Sequence, residues 1–121
     1  MLSVGVDITE LRRISAAVAR WEARFLQRIY TPAELAYCRG SIPELAARFA
    51  AKEAISKALG TGIVGISWRE MEVLPNQAGK PLVTLHGRAL ARAQRLGLTE
   101  WAISLSHTDR DAIAFVVAAD H

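Results

Sequence analysis

"RFAAKEAISKALGTG", Arg48 to Gly62, places four charged side chains, Arg48, Lys52, Glu53 and Lys57, in a segment otherwise dominated by Ala, Phe, Ile and Leu. At roughly 100° per residue, Ala47, Ala51, Ala54 and Ala58 share one side of a helix with Ile55. Such a small-residue ridge lets a helix approach a sheet or another helix closely. Glu53 and Lys57, four apart, share a second face with Ala46 and Ala50, while Arg48 and Lys52 lie on a third beside Leu45 and Leu59. On a wet surface an i,i+4 ion pair contributes only about 0.2–0.5 kcal/mol. In apolar surroundings the charges are costly unless a ligand offsets them. A carboxylate beside an ammonium group suits a metal-bound phosphate, the oxygen for Mg²⁺ and the positive charge for phosphoryl oxygens.

Outward toward the N-terminus, "LSVGVDI" reads as a buried strand ending at Asp7, with Thr9 as cap of the following helix. From Glu10 to Tyr30, the residues Leu11, Ile14, Val18, Trp21, Phe25 and Ile29 recur at helical steps and predict one helix. Arg13, Arg20, Arg24 and Arg28 fall within about 80° of one another on its flank and form a basic stripe. "TPAEL" starts a short helix, capped by Thr31 with Pro32 at its first position, and "CRGSIP" breaks it through Gly40 and Pro43.

Toward the C-terminus, "ISWREMEVL" and "KPLVTLH" read as strands joined by the turn "PNQAGKP", and "GRALARAQRLG" as a helix stopped by Gly97. "WAISLSH" and "DAIAFVVAA" form a second hairpin closed by "TDRD". The resulting order, one strand, three helices, two strands, one helix and two strands, is an α+β single domain over 1–121 with largely antiparallel strands.

The 121 residues, 51% apolar, can build a core without disulfides. One cysteine, Cys38, forms no internal bridge and reads as a passive buried thiol in a reducing cytoplasm. The N-terminus lacks the basic region of a signal peptide, and no apolar run reaches the ~20 residues of a membrane span. A net charge of +3 is mild, so its distribution matters more than its size.

The segments "VGVDITELRRI", "RFAAKEAISKALGTG", "NQAGKP" and "SLSHT", in this order and spacing, resemble the holo-acyl carrier protein synthases, the small stand-alone class of phosphopantetheinyl transferases. The most specific part is F-x-x-K-E-A-x-x-K-A, matched by Phe49, Lys52, Glu53, Ala54, Lys57 and Ala58. The resemblance implies Mg²⁺-dependent transfer of 4′-phosphopantetheine from coenzyme A to a serine of apo-acyl carrier protein, in the service of fatty acid or polyketide assembly. It implies Asp7 and Glu53 as metal ligands and Lys57 at the phosphate under attack. Glu53, or a metal-held water it positions, is the candidate proton acceptor. His107 is implied near the coenzyme A phosphates, as phosphate contact or proton-transfer group. Arg48 is the candidate for the ribose 3′-phosphate. Gly79, Lys80 and Pro81 resemble the loop along the adenosine, although a plain hairpin turn explains these residues almost as well.

Arg13 matches the family's carrier-docking arginine, with Arg20, Arg24 and Arg28 as further candidates for an acidic partner. The resemblance also implies a homotrimer with active sites at subunit interfaces. One departure is the short "RGSIP", where relatives carry a longer basic stretch that contributes 3′-phosphate contacts. Two rival readings are a non-catalytic coenzyme A or nucleotide-binding module and a nucleic-acid-binding module. The second predicts exposed aromatics among the cations, whereas the helical projection puts Trp21 and Phe25 on the apolar face.

Overall fold

In the computed structural model, which describes residues 1–120, the quoted stretch lies in the central helix α4, Ile42–Ala58. Ser41 starts it, its hydroxyl accepting from the Glu44 N–H. Pro43 sits inside the first turn, where its missing N–H costs nothing, and so opens this helix instead of breaking the chain as the sequence suggested. Before α4 come the strand β1 (Leu2–Glu10) and the helices α1 (Leu11–Trp21), α2 (Ala23–Ile29) and α3 (Pro32–Cys38). After it come β2 (Met71–Pro75), β3 (Pro81–Leu85), α5 (Gly87–Leu96), β4 (Glu100–His107) and β5 (Asp111–Ala119).

The long first helix of the sequence reading is two helices. Glu22, at φ 49 and ψ −126, interrupts it, so Arg13 and Arg20 belong to α1 but Arg24 and Arg28 to α2. Neither Gly nor Pro marks the break. β1 also runs three residues past Asp7, and Thr9 is no cap: it lies within the strand, where its hydroxyl donates to Asp7 Oδ2 at 3.1 Å. Further along, the first half of "ISWREMEVL" is loop and a single 3-10 turn, Trp68–Glu70.

An antiparallel sheet in the order β1-β5-β4 lies against α4, and β2 and β3 form a separate hairpin. The alanine ridge explains the close approach. Gly5 faces α4 so tightly that a Cβ there would collide with the Ala54 carbonyl, and Ser3 Oγ donates to the Ala58 carbonyl at 2.6 Å. Ala112, Ala114, Val116 and Ala118 of β5 are also fully buried on the sheet's inner face. A second cluster, including Ile14, Ile29, Tyr30, Leu45 and Phe49, packs α1 to α3 against the other side of α4. No described helix is long and apolar enough to cross a membrane.

The opposite face of the three-stranded sheet is different. Leu2, Val4, Val6 and Ile8 of β1 and Ile113 and Phe115 of β5 are all exposed.

Candidate active site

Packing on both sides buries α4 nearly all round. From Leu45 to Ala58 every residue is buried except Glu53 and Lys57. Ala46 and Ala50, read from the sequence as flanking an open face, are fully buried, so the helix meets solvent at the acid and the ammonium group alone over this span.

Those two groups face Asp7, which β1 directs to the α4 side of the sheet together with Gly5 and Thr9. Lys57 Nζ lies 3.2 Å from Asp7 Oδ1 and donates to the Val6 carbonyl at 2.9 Å. Burial, and then the negative charge of Asp7, push the Glu53 carboxyl above its usual range, while Arg13 and Lys57 pull it back. Asp7, Glu53, Lys57 and Arg13 therefore form one electrostatic group at the junction of β1, α1 and α4. Asp7 is held inside its strand instead of at the strand end that the sequence suggested.

Could this group hold a metal ion? Among the described residues no cluster of three or more His, Cys, Asp or Glu side chains does so on its own. Two hard carboxylates that repel one another, open to solvent on one side, fit a Mg²⁺ whose remaining positions go to water and substrate phosphate.

His107 ends β4, on the opposite edge strand but at the same end of the sheet. In register it sits opposite Ala112, which pairs on its other side with Thr9, so His107 and Thr9 lie two strand spacings apart, about 10 Å. The exposed imidazole has Nδ1 3.4 Å from the Thr108 carbonyl.

Arg48, Gly79, Lys80 and Pro81 come together elsewhere, in a cleft of about 400 Å³ also lined by Tyr37, Glu44 and Ser104. Asn76 shapes the turn, its Oδ1 accepting from the Ala78 and Lys80 N–H groups, and Gly79 supplies the required φ of 88. Leu105 lines this cleft too and occupies the same sheet row as Asp7, through Ala114. Leu105, in the wall of the cleft, thus lies about two strand spacings from Asp7, roughly 10 Å. Arg48 is 2% exposed: Nε donates to the Val73 carbonyl, Nη1 to Glu44 Oε1 at 3.1 Å, and the guanidinium lies 4.6 Å from the Tyr37 ring centroid.

The helix break divides the four arginines between two groups of neighbours. Arg20 and Arg24 lie 4.9 and 6.0 Å from the Trp21 ring centroid, and Arg13 lies 5.2 Å from that of Phe49. Arg24, Arg28, Trp21 and Phe25 line a shallow depression. Contrary to the projection, Trp21 is 46% exposed, because the turn at Glu22 leaves it at the end of α1. Exposed aromatics therefore do not separate a protein-docking surface from a nucleic-acid surface here.

Lys52, left without a role by the sequence, is 0% exposed and spends its three N–H donors on Glu34 Oε1 at 2.8 Å, the Met71 carbonyl at 2.7 Å and the Trp68 carbonyl at 3.1 Å. Burial pulls its ammonium below the ordinary lysine range, and Glu34 works against that shift. Glu34 also accepts from the Thr31 and Val73 N–H groups, closing a capping box at the start of α3. The T-x-x-E spacing was the available signal for Glu34, and nothing local pointed to its pairing with Lys52. Cys38 is buried as expected, which pushes its thiol up to about 11.

Residues 3–115 match the family model described as the 4′-phosphopantetheinyl transferase superfamily. A holo-[acyl-carrier-protein] synthase from Herpetosiphon aurantiacus is 52% identical over 124 residues, covering 97% of this chain and 98% of that protein. Its counterpart from Dehalococcoides mccartyi is 54% identical over 120 residues, covering 99% and 100%. The crystal structure of Helicobacter pylori holo-[acyl-carrier-protein] synthase in complex with coenzyme A superposes with a TM-score of 0.88 at 32% identity, over 96% of this chain and 99% of that one. A match over most of its length, in sequence and in fold, places this chain in the 4′-phosphopantetheinyl transferase superfamily.

Proposed function

We propose that this protein transfers 4′-phosphopantetheine from coenzyme A to a serine hydroxyl of apo-acyl carrier protein, yielding the holo-carrier and adenosine 3′,5′-bisphosphate. The observation that carries this reading is a helix that from Leu45 to Ala58 is buried except at Glu53 and Lys57, which face Asp7. In the reaction the serine Oγ forms a bond to the phosphorus bearing pantetheine, the bond from that phosphorus to the bridging oxygen breaks, and the bisphosphate leaves with the electron pair.

Asp7 and Glu53 would hold Mg²⁺, which supplies charge neutralisation at the phosphoryl oxygens. Lys57 adds a second positive charge beside the same diphosphate, where its ammonium already neighbours Asp7. Glu53, its carboxylate less acidic than usual, is suited to take the serine proton. His107, on the same side of the sheet, would contact a phosphate or relay that proton. The Arg48 and Gly79–Pro81 cleft would take the adenosine and its 3′-phosphate, and the spacing of roughly 10 Å between Leu105 in its wall and Asp7 suits the reach of a nucleotide.

Arg13, Arg20, Arg24 and Arg28 would dock the acidic carrier, steering it by charge. The exposed Leu2, Val4, Val6, Ile8, Ile113 and Phe115 face would pack against copies of the same chain in a homotrimer. Such an assembly would bring β1, which carries Asp7 on its other face, to a subunit boundary. We place the enzyme in the cytoplasm, where its carrier and donor would be found.

Incubating the protein with apo-acyl carrier protein, coenzyme A and Mg²⁺, and weighing the carrier by mass spectrometry, tests the reading. A mass gain of one phosphopantetheine on serine is expected. An unmodified carrier, with coenzyme A still bound, would favour the non-catalytic binding module instead.

A further inference from the structure

One acid stands in a cleft otherwise suited to anions. Arg48 is the cleft's buried cation, and Lys80 lies in the facing turn. Yet Glu44, one helical turn before Arg48, reaches into the same space and holds Arg48 Nη1 at 3.1 Å. Its side chain is 37% exposed against 3% for the Arg48 side chain, so the acid is the partner that solvent can reach. Three other features fix the guanidinium in place: the Nε bond to the Val73 carbonyl, the Tyr37 ring against its face, and the bond from Nη1 to the Glu44 main-chain carbonyl at 3.5 Å. With the guanidinium held in this way, an anion that approaches Nη1 meets the Glu44 carboxylate as a competing partner.

We propose that Glu44 is a specificity-determining residue that occupies Arg48 in the free protein and competes with the ribose 3′-phosphate of the donor. This rests on the reading of the cleft as the nucleotide site given under Proposed function. A 3′-phosphate entering the cleft exchanges one anionic partner of Arg48 for another and comes to lie beside the displaced carboxylate. A donor lacking that phosphate leaves the Glu44–Arg48 pair intact and binds without this cost. Glu44 thus narrows the preference of the cleft for 3′-phosphorylated nucleotides below what Arg48 and Lys80 alone would give. It weakens retention of adenosine 3′,5′-bisphosphate in the same way, which favours product release.

The test is Glu44→Gln, which keeps side-chain volume and the Ser41 cap while removing the charge. Calorimetric dissociation constants are measured for coenzyme A, dephospho-coenzyme A and adenosine 3′,5′-bisphosphate with wild type and variant, and circular dichroism checks that the fold is kept. Coenzyme A and the bisphosphate are expected to bind 3- to 10-fold tighter to the variant, and dephospho-coenzyme A to change less than 2-fold. If wild type prefers coenzyme A over its dephospho form but Glu44→Gln leaves that ratio unchanged, the competition by Glu44 is refuted and the cleft assignment stands. A lower ratio in the variant would equally overturn it, since Glu44 would then be orienting Arg48 for the phosphate. If neither wild type nor Glu44→Gln distinguishes the two donors, the cleft assignment itself fails, and this inference with it.

Discussion

Replacing Lys52 with Met keeps the length of the apolar stem and deletes the ammonium group. In the native protein all three of its N–H donors are used, by Glu34, Met71 and Trp68, and the side chain is wholly inaccessible to water. The variant leaves the Glu34 carboxylate with two backbone N–H donors and no counter-charge, a situation that costs about 3–5 kcal/mol in buried pairs. The Trp68 and Met71 carbonyls lose a donor as well, a penalty of about 1–3 kcal/mol each that overlaps the first because the chain can relax. A net loss near 4 kcal/mol is expected, a large share of a typical stability of 5–15 kcal/mol. For a domain of this size it lowers the melting midpoint by about 15 °C. The assay is thermal and urea unfolding at fixed protein concentration, since self-association would otherwise shift the midpoint. Glu34→Leu and the double variant complete a cycle, in which the double variant should be destabilised less than the sum of the singles by more than about 1 kcal/mol. A loss below about 1 kcal/mol for Lys52→Met, or additive singles, would refute the claim that this pair anchors α4.

With Glu53 as the metal ligand proposed above, Glu53→Gln should lower turnover by more than about 100-fold, because even outer partners of a metal cost 10- to 100-fold. Its stability should move the other way in chelator-treated buffer. The Glu53 pKa is raised on folding, so ionising it costs stability as pH rises from about 4.5 through the folded value; the variant should melt above wild type at pH 7 and lose that advantage as pH falls toward 4.5. Added Mg²⁺ should raise the wild-type midpoint only, and equal responses of both proteins would remove Glu53 from the metal site. Phe115→Asp, in the middle of the exposed sheet face, should convert the homotrimer proposed above to monomers in light-scattering chromatography, and a trimer mass kept by the variant would show that this face is not the contact. Gly5→Ala drives a methyl group into the Ala54 carbonyl and should cost at least about 1–3 kcal/mol by overpacking; wild-type stability in urea unfolding would mean that β1 and α4 can separate freely.

Features carried by neighbours in the sequence were legible, and those carried across the fold were not. Gly97 ends α5 in a left-handed turn at φ 73, and the two C-terminal strands pair as the hairpin that "TDRD" was expected to close. Asp7, Glu53 and Lys57 were found as residues because a strand and a helix of known periodicity carry them. The turn at Glu22 was missed since helical spacing continues across it with no Gly or Pro, and a projection along one axis cannot register a second. The full burial of α4 was missed for a related reason. Its alanines read as a shallow face, and only the sheet on one side and α1 to α3 on the other make them interior.

That burial explains why the motif is longer than its chemistry. Two charged groups must project from one helix toward Asp7, which requires both the distance of α4 from β1 and its rotation about its own axis to be fixed. Ala54 and Ala58 set the distance, through the close approach of Gly5 and the Ser3 hydroxyl bond. Rotation is set from the far side, where Phe49 stacks on Trp68 with centroids 4.8 Å apart and Lys52 reaches Glu34. Lys52 and Glu53 are consecutive and so point about 100° apart; anchoring the first in the interior directs the second to the site. Each fixed position of F-x-x-K-E-A-x-x-K-A thus either faces the site or holds the helix that does, and a change at Lys52 that spared the fold would still turn Glu53 away from Asp7.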